Sequence, residues 1–93
     1  VQLILDAVAA FYQLDTDTIR GRGRQKSVSL PRQVAMFIMR EEGGCSLPHI
    51  GRVLGGRDHS TVMHGCNKIA EDIQRDEKLK KDVSSIRRSL HGA

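Results

Sequence analysis

The stretch Gly55-Gly56-Arg57-Asp58-His59-Ser60-Thr61-Val62-Met63-His64 reads as a glycine turn that opens directly into a helix. Paired glycines give the backbone the freedom a tight turn needs, and aspartate is a preferred N-cap type. Beyond the turn, Val62, Cys66, Ile69 and Ile73 recur at helical spacing and form one apolar stripe. With that stripe inward, at about 100° per residue, Ser60, His64 and Asn67 point outward, with Thr61 and Lys68 beside them. A solvated helix face ordinarily carries Glu and Lys pairs. This one opens on small hydroxyls and imidazoles, which fit against base edges in a major groove, at a helix N-terminus that favours nearby phosphate.

Upstream, Ser46 is placed to cap a short helix with Pro48 in its first turn and Leu47, Ile50 and Leu54 inward. A short helix, a glycine turn and a longer helix make a helix-turn-helix pattern. Gly43-Gly44 ends a third helix, for which Ser29 is the expected N-cap and Pro31 a first-turn residue, with Val34, Phe37 and Ile38 facing the core. Before it lies Gly21-Arg22-Gly23-Arg24-Gln25-Lys26-Ser27, a loop without an apolar residue. Asp15 or Thr16 caps a short second helix through Ile19, and Gly21 stops it. Leu3, Ile4, Ala7, Val8 and Phe11 form the stripe of a first helix, and Leu79, Val83, Ile86 and Leu90 that of a sixth. The expected fold is all-α: about six helices with a helix-turn-helix, and a basic loop before the third helix. No strand pattern, internal repeat or low-complexity tract interrupts it.

The chain has 93 residues, the size of one domain. Its 15 basic and 11 acidic residues leave a net charge of +4. The distribution is more telling. No acid lies between Asp17 and Glu41, where Arg20, Arg22, Arg24, Lys26, Arg32 and Arg40 fall, while the final third mixes both signs. Such a one-sided field steers a polyanion to one face. Cys45 and Cys66 are too few for a disulfide scaffold and are read as reduced thiols of a cytoplasmic protein. No signal peptide or membrane-spanning run is present. The chain opens at Val1 already in helical pattern, as an excised piece of a longer protein would.

Each candidate contact has a structural alternative. Asp58 is suited to cap the fifth helix, yet one carboxylate oxygen can cap while the other accepts from a cytosine amino group. The Thr61 methyl can meet a thymine methyl. His59 and His64 would be unremarkable singly; their joint presence in the first two turns favours contact. Arg57, just before the helix, can reach a phosphate or a guanine. Arg22, Arg24 and Lys26 alternate with glycine and polar residues, a spacing that suits an arm in a narrow A·T-rich minor groove. Arg32 and Gln33 are placed to meet the phosphates this loop passes.

Other chemistries fit poorly. Cys45, His49, His59, His64 and Cys66 lack the paired spacing of structural zinc, so no metal site is expected. There is no phosphate loop of the nucleotide-binding kind and no carboxylate cluster for catalysis. Phe11 and Phe37 sit at core positions, which leaves no stacking platform for single strands. The rival reading is a protein-interaction module that uses the fifth or sixth helix, where the charges from Glu71 to Arg88 are mixed.

Three segments, Leu30-Pro31-Arg32-Gln33-Val34-Ala35-Met36, Ser46-Leu47-Pro48-His49-Ile50-Gly51 and Gly55 through Ile69, resemble in order and spacing the C-terminal DNA-binding domain of the bacterial DnaA replication-initiator family. The resemblance covers essentially the whole chain, 1–93, as a single DNA-binding domain. It implies binding to duplex DNA at replication-origin boxes of the TTATCCACA type, by a monomer per box. By resemblance Arg24 matches the minor-groove arginine, and Asp58, His59, Ser60 and Thr61 match the base-reading cluster. Arg32, Gln33, Leu47, Pro48 and His64 match backbone-contacting positions, and Arg22 and Lys26 match basic loop positions. Ser60 stands where threonine is usual, and Asn67 where a basic residue is common. The resemblance further implies that ATP binding, for which this chain supplies no cofactor site, lies in an ATPase domain outside it. Oligomerisation at the origin would likewise belong to the full-length protein. The first 19 residues hold no Lys or Arg, so the response of some family members to acidic phospholipid is not carried over.

Overall fold

The computed structural model describes residues 1–92 and contains six helices: α1 (Gln2–Tyr12), α2 (Thr16–Arg20), α3 (Lys26–Glu41), α4 (Leu47–Val53), α5 (His59–Asp72) and α6 (Glu77–Leu90). The all-α reading is correct. Helix α3 runs through the middle and packs against each of the other five. That is why Val34, Ala35, Met36, Phe37, Ile38 and Met39 are buried without a break: a helix covered on every side has no polar stripe. Among the described residues, no helix is long and apolar enough to cross a membrane.

Two expectations are corrected. Helix α3 begins at Lys26 with Gln25 as N-cap, so Ser29 is not a cap and Pro31 lies inside the helix. The helix therefore absorbs the end of the basic loop, at the cost of the backbone bond that Pro31 cannot donate. In α1 the inward residues are Ile4, Leu5, Val8 and Ala9, while Leu3 is 78% and Phe11 40% exposed. Phe11 is therefore not a core residue. This helix is apolar around most of its circumference, so spacing alone does not select a face; packing against α3 and α6 does.

Helix α6 closes the fold against α1 and α3 with Leu79, Val83 and Ile86 buried. The Tyr12 hydroxyl donates to Asp82 at 3.5 Å across the α1–α6 seam. Burial, with the Asp82 charge behind it, pushes that phenol up to about 12. At the far end Arg87 Nε lies 2.6 Å from Glu42 Oε1, and His91 Nε2 lies 3.4 Å from its other oxygen. Cys45 is half-buried and Cys66 buried, both as free thiols.

Candidate nucleic-acid interface

The helix-turn-helix is built around close backbone approach. Gly56 and Arg57 N–H groups both donate to the Gly51 carbonyl at 2.9 Å. A Cβ on Gly51 would sit 2.0 Å from the Arg57 carbonyl oxygen, so only glycine lets α4 meet the turn this closely. Gly55 and Gly56 both take positive φ, 80° and 81°, which other residues adopt only with strain. At the next contact, a Cβ on Gly65 would lie 2.5 Å from Met36 Sδ, so glycine also sets how near α5 crosses α3.

Asp58 caps α5: its Oδ1 accepts from the Thr61 N–H at 3.0 Å. Hydrogen bonding from Thr61, through its hydroxyl and then its backbone N–H, holds the carboxyl below its ordinary value. The helix buries Val62, Gly65, Cys66 and Ile69. His59, Ser60, Thr61, Met63, His64, Asn67 and Lys68 all lie exposed on the other side. The expected outward face is therefore the observed one, with Met63 added. Met63 is 44% exposed. The sequence did carry a signal for it: Met63 falls off the buried stripe and lies one turn beyond His59.

The loop before α3 reaches the same end of the molecule. Arg22, Gly23 and Arg24 line one cleft of about 430 Å³ together with Ser29, Arg32, Arg57 and Thr61. Arg22, Arg24 and Lys26 are exposed and take part in no ion pair among the described residues. A second shallow groove of about 420 Å³ follows the outer side of α5 past His64, Asn67 and Lys68. Lys68 pairs with Asp72 at 3.2 Å, an exposed pair whose worth is small enough to exchange for another anion. Gln33 is half-buried where α3 faces Gly65. On α4, Pro48 is exposed and Leu47 is partly packed on the core, and the Ser46 hydroxyl accepts from His49 N–H at 3.2 Å.

Two of the expected contact residues are turned inward. Arg32 is buried: its Nε donates to the Ile19 carbonyl at 2.7 Å and its Nη1 to the Gly23 carbonyl at 2.9 Å, while Nη2 is buried without a partner among the described residues. Arg57 Nη1 donates to the carbonyls of Arg20, at 3.0 Å, and Leu54, and its Nη2 donates to that of Gly21. Both side chains thus hold backbone at the stem of the basic loop instead of extending into solvent. The physical reason is local. A short helix ending at a glycine leaves carbonyls without helical donors, and a guanidinium supplies several donors in a fixed fork. Burial lowers both guanidinium pKa values; the Arg57 charge adds to the effect on Arg32, and the Arg22 charge to that on Arg57.

Residues 1–69 match the family described as bacterial dnaA protein helix-turn-helix. The chain is similar to chromosomal replication initiator protein DnaA of Roseiflexus castenholzii and of Herpetosiphon aurantiacus, 52% identical over 96% of this chain in each case. It is 44% identical to that of Thermomicrobium roseum over 97% of this chain. It spans 18–19% of the length of these three relatives. This chain belongs to the bacterial dnaA protein helix-turn-helix family.

Proposed function

We propose that this domain binds duplex DNA sequence-specifically at replication-origin boxes of the TTATCCACA type, and so serves the initiation of chromosome replication in the bacterial cytoplasm. Helix α5 enters the major groove while the basic loop lies in the adjoining minor groove. The observation that carries this reading is the shared cleft, in which the loop arginines and the first turn of α5 line one concave surface. A single duplex presents adjacent grooves to such a surface.

Within this reading Asp58, His59, Ser60 and Thr61 meet base edges, and Arg24 enters the narrow groove. Arg22, Lys26, Gln33, His64 and Lys68 meet phosphates that fix register without reading sequence. Leu47 and Pro48 bring the start of α4 against the backbone. Ser60 lacks the methyl of threonine, so the base beneath it is read less strictly. One domain occupies one box. The relatives named above are initiators several times longer than this chain, and ATP binding and assembly at the origin belong to the remainder of such a protein.

A binding titration of a box duplex against a shuffled duplex tests the proposal. A clear preference for the box is expected, with affinity falling steeply as salt rises, because each neutralised phosphate contributes roughly −0.9 to the slope of log K against log salt. Equal affinity for both duplexes, or binding insensitive to salt, would refute it; the latter would favour a packed protein interface instead.

A further inference from the structure

We infer that Arg57 is a positioning residue that locks the basic loop to the turn between α4 and α5, and that the reading of the minor groove depends on this lock. The inference rests on the duplex reading proposed above. Arg57 lies in the turn itself, yet three of its bonds go to Arg20, Gly21 and Leu54 carbonyls, so a single guanidinium ties the loop stem to the end of α4. Arg32 grips the same stem from α3 through the Ile19 and Gly23 carbonyls. Four carbonyls within five successive residues are thereby fixed, directly before Arg24. Gly55 supports the contact from the turn side: a Cβ there would sit 2.4 Å from the Arg20 carbonyl oxygen, the same atom that accepts from Arg57.

The consequence is geometric. Arg24 is exposed and makes no ion pair among the described residues, so its own side chain does not determine where it sits. What determines its distance from α5 is the backbone of residues 19–23. A loop free to swing would order only on binding, and the entropy of that ordering would offset the arginine contact. Lysine at position 57 keeps the charge but cannot reproduce the planar fork that reaches three carbonyls.

The test compares wild type, Arg24→Ala, Arg57→Lys and the double variant on three duplexes: the box, the box with G·C pairs under the loop, and the box altered at pairs facing α5. Arg24→Ala is expected to weaken box binding about 5- to 150-fold. Arg57→Lys should weaken it by a similar factor, with little further loss in the double variant. Arg57→Lys should also erase discrimination under the loop while keeping it under α5. Losses that multiply in the double variant, or loop-side discrimination that survives Arg57→Lys, would overturn the positioning role while leaving the duplex reading intact. A wild type indifferent to the box would remove both. Without DNA, mapped trypsin cleavage after Arg22 and Arg24 should speed up several-fold in Arg57→Lys, and an unchanged rate would count against the lock. Should Arg57→Lys fail to fold, Gly55→Ala, which presses the turn off the Arg20 carbonyl, is expected to show the same pattern in both measurements; wild-type behaviour would contradict it.

Discussion

His59, Ser60, Thr61 and His64 stand exposed in the first two turns of α5, and substitutions at three of them separate base reading from phosphate contact. His59→Ala or Thr61→Ala is expected to lower affinity for a box by about 1–3 kcal/mol per lost base contact and to affect a shuffled duplex much less. Equal losses on both duplexes would exclude base reading at that position. His64→Ala should instead weaken both in parallel, as a phosphate contact does, and titrations of the two duplexes at matched salt decide the matter. These residues were legible in the sequence because an outward helix face follows from the apolar stripe opposite it. The inward turn of Arg32 and Arg57 was not legible. In one dimension an arginine in a basic segment reads as an available charge. Only the folded backbone shows carbonyls of Ile19, Arg20, Gly21 and Gly23 standing within its reach. The two thiols divide in the same way: burial pushes that of Cys66 up. A thiol-alkylating reagent should therefore modify half-buried Cys45 well before Cys66, and comparable rates would argue against the packing of α5.

Elements are joined here by contacts that admit no side chain. Gly51→Ala forces a methyl against the Arg57 carbonyl oxygen, so the turn must move or α4 must tilt. The expected loss is at least about 1–3 kcal/mol, the usual cost of overpacking, read as a lower midpoint in urea unfolding. Gly65→Ala meets the sulfur of buried Met36, an adaptable side chain and not backbone, and should cost less. Reversal of that order would contradict the description of the turn. Of the four helix starts for which a capping signal was legible, those of α2, α4 and α5 follow Asp15, Ser46 and Asp58 as expected. The exception, α3, begins three residues before its expected cap, because Gln25 opens the helix ahead of Ser29 and Pro31 is accommodated inside it. Local capping signals rank the candidates; tertiary packing selects among them.

At the scale of the whole molecule, two carboxylates link stability to acid. Glu42 is held below its ordinary 4.5, first by the hydrogen bond from Arg87, and Asp58 below 3.8, first by hydrogen bonding from Thr61. A carboxylate favoured in its charged form only in the folded state stabilises the fold fully above its ordinary value. That contribution is lost as pH falls through the lowered one. Thermal melts from about pH 7 down to about pH 3 should show stability falling at the acid end, and Glu42→Gln should flatten that fall. An unaltered acid profile in the variant would deny the Glu42–Arg87–His91 cluster a role. By itself the sequence determined the helical class, the helix-turn-helix, the basic segment and the polar face of α5. Those are properties of spacing and residue type along a single element, and local physics suffices for them. The tertiary structure decided which side of the nearly all-apolar α1 is buried, where α3 begins, and that Arg32 and Arg57 hold the loop stem in place of facing solvent. Each of these depends on groups distant along the chain, such as Gly21 and Arg57, 36 positions apart, whose meeting only the packed backbone arranges.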